Sequence, residues 1–273
     1  MGNTLYLECA SGISGDMLVG ALLDLGADKQ YLSEVLSTIK AEGFRIGYTR
    51  VKRSGLDCQD FDVILDEKHD GHDHDMEYLY GHEHAHSHGH HHEHHDHAHE
   101  HRGIREIFEI LDRTAMTENA RELAKDIFEV IAKAESAVHG LPINEVHFHE
   151  VGAIDSIVDI VAIAVCIDNL KIDKVIVPKL FDGQGTVRCQ HGILPVPVPA
   201  VTNIVAEHKI AMEILNVKGE LVTPTGAAAV AALRSTSKLP KEFIIKKVGM
   251  GSGKRDYGLA GFLRAMIIEE IKA

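Results

Sequence analysis

The sequence is short of aromatic residues and of cysteine. Aromatic residues make up 5% of its 273 positions, and tryptophan is absent. Its four cysteines are scattered with no CxxC pair, so neither a disulfide framework nor a structural zinc ribbon is indicated. Cys9 directly follows a strand-like segment, and we interpret it as core filling rather than as a ligand. Reduced thiols in the cytoplasm are therefore expected.

Long apolar runs and an excess of basic residues are also missing. The first residues carry neither a basic region nor a sustained apolar run, which is unlike a secretory signal peptide. The most apolar stretch, Ile157 to Ile167, contains Asp159 and is too short to span a bilayer. A formal net charge of -13 argues against nucleic-acid and anionic-membrane partners. It suits a protein whose partners are cations.

Strand and helix patterns are mixed along the chain. Residues 44–66 alternate apolar and polar side chains, which predicts two strands around Gly55. The segment from Glu118 to Val138 has apolar residues at helical spacing and is followed by Gly140, a helix stop signal. We therefore predict an α/β or α+β fold in which helices flank a mixed sheet.

A change of composition interrupts this core. Between Lys68 and Arg102 lie fifteen of the twenty histidines, together with acidic residues, glycine and alanine but almost no aliphatic residue. Such a segment cannot bury enough apolar surface to offset its ordering entropy. The sequence predicts a disordered, metal-binding insertion at 67–103, with the α/β core formed by 1–66 and 104–273.

The histidines of this insertion are suited to transition metals. With an unperturbed pKa of about 6.5, most imidazoles are neutral at pH 7 and free to coordinate. Imidazole suits nickel, copper and zinc alike, so the metal stays open, as does a metal buffer with no catalytic part. Unlike a purification tag, the tract is internal and mixed with acidic residues. The predicted ligands are His82, His84, His86, His88, His90 and His92.

A second polar cluster lies near the middle of the chain. His147 and His149 are two residues apart, so in an extended segment both side chains point to one face, and Glu150 is adjacent. Asp155 is predicted to cap a helix, with Asp159 one turn later on the same face. These five residues suit a divalent-metal site or a general base, and we predict them to be catalytic, the first three also as metal ligands. The alternative is that Asp155 caps the helix and nothing more.

Three loops of small residues are suited to binding phosphate. Residues 10–17 and 220–226 each lead into a helix, whose N-terminal N–H groups attract anions. Asp16 is predicted to cap the first helix or to hold a cation. A third loop combines 183–186 with 191–197. Each is an ordinary turn by itself, but three together predict a shared phosphorylated ligand. Its predicted contacts are Ser11, Gly12, Ser14, Gly15, Asp16, Thr223, Thr225 and Gly226.

The glycine-rich segment from Gly249 to Lys254 looks like a nucleotide-binding P-loop but does not fit one. Its glycine spacing is too short, and Arg255 stands where serine or threonine must bind magnesium. We therefore exclude a P-loop ATPase. A tight turn that places Lys254 and Arg255 near an anion is the interpretation left open.

Four blocks of the sequence resemble the nickel-insertion proteins of the lactate racemase cofactor pathway (LarC). Jointly they are specific, and they span nearly the whole chain around a histidine-rich insertion. The resemblance implies a lyase-class nickel insertase acting on pyridinium-3,5-bisthiocarboxylic acid mononucleotide, which yields the nickel-pincer nucleotide. It also implies a carbon–nickel bond and CTP hydrolysis with manganese or magnesium. The blocks are Cys9 to Met17, His147 to Asp159, His191 to Pro197 and Glu220 to Ala227.

The chain departs from this family in two respects. Glu8 stands where aspartate is expected, and Leu259 to Phe262 differs from the usual ending of the first portion. The resemblance also implies a C-terminal CTP-binding domain, whereas this sequence stops at Ala273. We therefore expect nickel binding, but no CTP-driven insertion without the C-terminal portion or a second polypeptide. A homo-oligomer is left open.

Two other classes of function compete with the insertase. In a non-catalytic nickel chaperone or storage protein, the histidine tract would be the whole function. A zinc-dependent hydrolase is unsupported, because no HExxH pattern lies on a predicted helix and no cysteine-rich pattern occurs. In the leading interpretation, the tract is a nickel reservoir, and the cluster from His147 to Asp159 presents nickel or removes the C4 proton of the substrate ring.

Overall fold

The computed structural model describes residues 2–41, 43–65, 102–148, 154–189 and 191–271, and at His147 it describes the backbone alone. The helices are α1 (Gly15–Asp24), α2 (Lys29–Leu36), α3 (Ile104–Arg113), α4 (Glu118–His139), α5 (Ile154–Asn169), α6 (Pro199–Glu207) and α7 (Pro224–Leu233). The strands are β1 (Asn3–Glu8), β2 (Phe44–Arg53), β3 (Leu56–Leu65), β4 (Arg102–Gly103), β5 (His147–Phe148), β6 (Ile172–Ile176), β7 (Leu180–Cys189), β8 (Gly192–Val196), β9 (Met212–Lys218), β10 (Phe243–Ser252) and β11 (Phe262–Glu270).

A six-stranded sheet with the order β2-β3-β10-β11-β1-β6 forms the base of the fold. β1 pairs antiparallel with β11 and parallel with β6, so the first and last strands of the chain are neighbours. β2 and β3 form the hairpin predicted around Gly55, which has a φ of 80°. This mixture of parallel and antiparallel strands with flanking helices confirms the predicted α/β class.

Helix α5 lies at the centre of the hydrophobic core. From Ile160 to Ile167 its residues are at most 5% exposed, and the helix packs against α1 and α4. A helix that is apolar on all sides must be covered on all sides, which explains why its sequence shows no amphipathic pattern. Among the described residues, no helix is long and apolar enough to cross a membrane.

Glycines let α1 approach the sheet closely. A Cβ atom on Gly251 of β10 would lie 1.8 Å from the carbonyl oxygen of Met17 and 2.5 Å from the amide nitrogen of Ala21. A Cβ on Gly249 would lie 2.3 Å from the carbonyl oxygen of Ala21. Backbone therefore packs on backbone here, and this contact sets the position of the N-terminus of α1.

A three-stranded sheet with the order β8-β7-β9 lies where the sequence suggested loops. The predicted third loop, at 183–186 and 191–197, is wrong, because most of these residues form an antiparallel hairpin of β7 and β8. Glycines and prolines hide its alternating pattern. Pro195 is tolerated because β8 is an edge strand, where a missing N–H faces no neighbour.

The helices agree more closely with the sequence. α4 ends at His139 and is followed by Gly140 with a φ of 63°, as the stop signal predicted. Pro224 occupies the first turn of α7. The predicted histidine ligands from His82 to His92 lie outside the described residues, and the insertion at 67–103 stays a prediction, although Arg102 and Gly103 form β4.

We expect Gly251→Ala to destabilise the protein by about 3 kcal/mol, because its new methyl group meets fixed backbone atoms. Gly47→Ala is the matched control. Its Cβ would lie 3.6 Å from its nearest neighbour, so we expect unchanged or slightly increased stability. Chemical denaturation of both variants measures the difference. Equal stabilities would show that the approach of α1 to β10 is not close.

Candidate functional site

Two of the predicted phosphate loops lie side by side. The amide of Ile13 donates to the carbonyl of Leu221 at 2.9 Å, and the amide of Thr223 donates to the carbonyl of Ile13 at 3.1 Å. These bonds join the segment before α1 to the segment before α7. The sequence predicted both loops, and the structure brings them together.

Two glycines make this contact possible. A Cβ on Gly12, which has a φ of 86°, would lie 2.0 Å from the carbonyl oxygen of Leu221. A Cβ on Gly226 would lie 2.2 Å from the carbonyl oxygen of Ile13 and 3.1 Å from the Cα of Ser14. The N-termini of α1 and α7 are therefore adjacent, and both present the partial positive charge that favours anions.

The hydroxyl groups at these termini have different roles. The side chain of Thr223 caps α7 by accepting from the amide of Gly226 at 3.1 Å. Ser14 is the N-cap residue of α1, but its hydroxyl donates to Oδ1 of Asp16 instead of accepting from the helix. Thr225 is 7% exposed within the first turn of α7. Ser14 is thus committed to Asp16, which leaves the threonines as the better ligands for an anion.

Asp159 of α5 contacts the N-terminus of α1. A Cβ on Gly15 would lie 2.4 Å from Oδ2 of Asp159, so no larger residue fits between the two helices. Oδ1 of Asp159 is buried and has no hydrogen-bond partner among the described residues. The predicted N-cap role of Asp155 is wrong, because α5 already begins at Ile154 and places Asp155 inside its first turn.

The carboxyl groups of this cluster hold their protons unusually tightly. Burial raises the pKa of Asp159 well above its ordinary range, and the nearby carboxylates of Asp16 and Asp155 raise it further. Burial also raises the pKa of Asp16, although its bond from Ser14 and the charge of Lys254 act in the opposite direction. A carboxylate with a raised pKa is a stronger base, so Asp159 is suited to accept a proton from a bound substrate.

Lys254 is directed at carboxylates. Its Nζ atom lies 2.7 Å from Oδ1 of Asp60 and 3.3 Å from Oδ1 of Asp62, both on β3. The neighbouring Arg255 lies 3.6 Å from Oε2 of Glu220. Both basic residues thus pair with carboxylates of the protein, and the interpretation of this turn as a site for a bound anion stays a prediction. Lys254 also partly offsets the negative charge around Asp16 and Asp159.

The predicted metal ligands are described in part. The β4–β5 pair aligns Gly103 with the backbone of His147 and Arg102 with Phe148, whereas His149 and Glu150 lie outside the described residues. Within the described ranges, no three side chains of histidine, cysteine, aspartate or glutamate are arranged to hold a metal ion. The metal site at His147, His149 and Glu150 thus stays a prediction.

Asp182 is a residue of this region that sequence reasoning missed. It is fully buried in β7, and it accepts hydrogen bonds from two backbone amides of the loop at 220–226. Nothing in its local sequence signals this role. Cys9, by contrast, behaves as expected, because burial raises the pKa of its thiol to about 12 and leaves it a core residue.

We expect Asp159→Asn to stabilise the protein at pH 8 by about 0.5–2 kcal/mol. Because the pKa of Asp159 is raised in the folded state, the folded protein binds more protons than the unfolded chain. The stability of the wild type therefore falls as the pH rises from about 4 through the raised pKa. The asparagine cannot ionise, so its advantage shrinks towards pH 5. Thermal and urea denaturation across this range measures the difference.

Asp112→Asn is the control for this prediction. The hydrogen bond from Lys125 lowers the pKa of Asp112, so the sign is reversed and no stabilisation is expected at pH 8. A lower stability of Asp159→Asn than of wild type at pH 8 would contradict the assignment of a costly buried carboxyl group.

The sequence matches the family described as nickel insertion protein over residues 5–273. A pyridinium-3,5-bisthiocarboxylic acid mononucleotide nickel insertion protein of Alkaliphilus metalliredigens is 50% identical over 271 residues, which cover 99% of this chain and 61% of that relative. Proteins of the same name are 45% identical in Clostridium acetobutylicum and 41% identical in Lactiplantibacillus plantarum.

The match extends over most of this chain but over less of its relatives. The chain covers 61%, 64% and 62% of the lengths of these three proteins, respectively. No solved structure matches the sequence. Because the family match covers nearly every residue, including the segments before α1 and α7 and the whole of α5, the chain belongs to the nickel insertion protein family.

Proposed function

We propose that this chain inserts nickel into pyridinium-3,5-bisthiocarboxylic acid mononucleotide and so forms the nickel-pincer nucleotide of lactate racemase in the cytoplasm. The observation that carries the proposal is the meeting of two helix N-termini with the carboxyl group of Asp159. Such a site combines an anion-binding surface with a base. The reaction belongs to the lyase class and is driven by CTP with manganese or magnesium, which a further portion of the protein or a second polypeptide binds.

The phosphate of the mononucleotide is assigned to the N-termini of α1 and α7. Backbone N–H groups at a helix N-terminus attract anions, and here two such ends adjoin. Thr223 and Thr225 add hydroxyl groups at the start of α7. The contacts proposed from Ser11, Ser14 and Gly15 are made by their backbone N–H groups, since the hydroxyl of Ser14 already donates to Asp16. Gly12 and Gly226 allow the two termini to approach, because their own amides donate to the carbonyl of Cys9 and to the side chain of Thr223.

We assign to the carboxylate of Asp159 the role of accepting the proton from C4 of the substrate ring. When nickel enters, the C4–H bond breaks, its electron pair forms the carbon–nickel bond, and the proton passes to Asp159. The apolar surroundings that raise the pKa of Asp159 make it a better acceptor for this proton. Asp155 and Asp16 strengthen the effect through their charge.

Nickel supply is assigned to the histidine tract and to His147, His149 and Glu150. The strand pair β4–β5 supports this assignment, since the chain returns from the tract at Arg102 and runs directly beside Phe148. The first described residues after the tract are therefore paired with the strand that contains His147. In this arrangement the tract raises the local nickel concentration, and the ordered residues perform the chemistry.

We expect Thr225→Val to weaken binding of the mononucleotide about tenfold, because a hydrogen bond to a charged phosphate is lost while the shape of the side chain is kept. Thr225→Ser retains the hydroxyl group and should bind as the wild type does. Isothermal titration calorimetry with the nickel-free mononucleotide measures both. Equal affinities for the valine and serine variants would remove Thr225 from the phosphate site.

Deletion of residues 69–101 separates insertion from nickel storage. We expect the shortened chain to retain less nickel after equilibrium dialysis but to bind the mononucleotide with unchanged affinity. Completed with a CTP-binding portion, it should still metallate the substrate at high nickel concentration, as mass spectrometry of the product measures. Loss of all metallation at every nickel concentration would favour the chaperone instead.

A further inference from the structure

Asp182 makes an unusual set of contacts for a buried acid. It lies in β7 and is 0% exposed. Its Oδ1 atom accepts three backbone N–H groups, from Gly183 at 2.8 Å, Leu221 at 2.8 Å and Val222 at 3.1 Å. Three donors on one carboxylate oxygen form a strong, charge-assisted set of hydrogen bonds. The carboxyl group thus fixes the backbone of residues 221 and 222 from within the protein.

Those two residues are the ones that contact the loop before α1. Leu221 accepts from Ile13 through its carbonyl, and Val222 forms a parallel bridge with Ile13. The side chain of Asp182 is therefore connected to the segment before α1 through the backbone of residues 221 and 222. Because Ile13 is hydrogen-bonded to this backbone, a shift of residues 221 and 222 would change the distance between Ile13 and Thr223, and with it the spacing of the two helix N-termini.

The second oxygen of the carboxyl group indicates the structural role of Asp182. Oδ2 of Asp182 is buried and has no hydrogen-bond partner among the described residues. No cation is paired with it there, so Asp182 does not serve as half of an ion pair. What the site uses is an acceptor at the position of Oδ1. An asparagine oxygen can supply that acceptor, whereas alanine cannot.

We propose that Asp182 is a positioning residue that sets the spacing between the N-termini of α1 and α7 and thereby the affinity for the phosphorylated substrate. The inference rests on the proposed function for the choice of ligand. The positioning itself concerns the backbone at Ile13 and Thr223, and neither residue is hydrogen-bonded to Asp182. It can therefore be measured without any ligand.

The test compares Asp182→Ala and Asp182→Asn with wild type in the full chain. Hydrogen exchange of the Ile13 and Thr223 amides reports the spacing, and calorimetric titration with the nickel-free mononucleotide reports binding. We expect Asp182→Ala to exchange both amides at least about tenfold faster and to bind the mononucleotide at least about tenfold more weakly. Asp182→Asn should stay near wild type in both measurements, because its side-chain oxygen can replace Oδ1. Its amide nitrogen would lie at the position of the unpartnered Oδ2, and this buried, unsatisfied donor should lower the melting temperature.

Ser235→Ala is the matched control. It removes a side-chain acceptor from the amide of Val175 at 3.0 Å, away from both loops, so exchange at Ile13 and Thr223 should not change. If Asp182→Ala does not fold, Asp182→Ser replaces it, because the shorter hydroxyl cannot reach Leu221 and Val222 together.

The outcomes separate the inference from the proposed function. Unchanged exchange and affinity in the folded alanine or serine variant would overturn the positioning role, as would an asparagine variant as impaired as alanine in both measurements. If wild type fails to bind the mononucleotide, the proposed function fails. In that case accelerated exchange in the alanine variant alone would still support the positioning of the two helices.

Discussion

The site depends on one backbone contact, between Ile13 and residues 221–223. Two hydrogen bonds join the two segments, and glycine occupies positions 12 and 226, where the backbones approach most closely. Any side chain at Gly12 or Gly226 would separate the two segments, because the atoms it would meet belong to backbone. The adjacent helix N-termini and the position of Thr223 follow from this approach. The small residues of both motifs are therefore explained by geometry rather than by flexibility.

Negative charge is concentrated where an anion is proposed to bind. Asp16 and Asp159 stand at the N-terminus of α1, whose partial positive charge stabilises carboxylates and phosphates alike. Lys254 offsets part of this negative charge. In the proposed site, binding of a phosphate and the protonation state of Asp159 are for this reason coupled, since each changes the electrostatic cost of the other.

The sequence allowed the helices and the predicted α/β class to be identified, because long apolar patterns and glycine stop signals are local. It also allowed the two loops before α1 and α7 to be identified, but not their contact, which joins positions more than two hundred residues apart. The β7–β8 hairpin was missed because Gly192 and Pro195 mask its alternation. Asp182 could not be recognised at all, since it acts on amides 39 and 40 positions away through a single oxygen.

The chemistry of Asp159 follows from the packing of its helix. Residues 160–167 of α5 are apolar and buried on every side, and the neighbouring helices α1 and α4 also exclude water from the carboxyl group of Asp159 just before them. The same exclusion that stabilises the core destabilises the ionised form of Asp159 and so raises its pKa. A more hydrophilic helix would lower the basicity of the site, whereas a fully apolar one would lack the base. The raised pKa of Asp159 therefore comes from the packing of the core itself, and the buried carboxylate offsets part of the stability that the core provides.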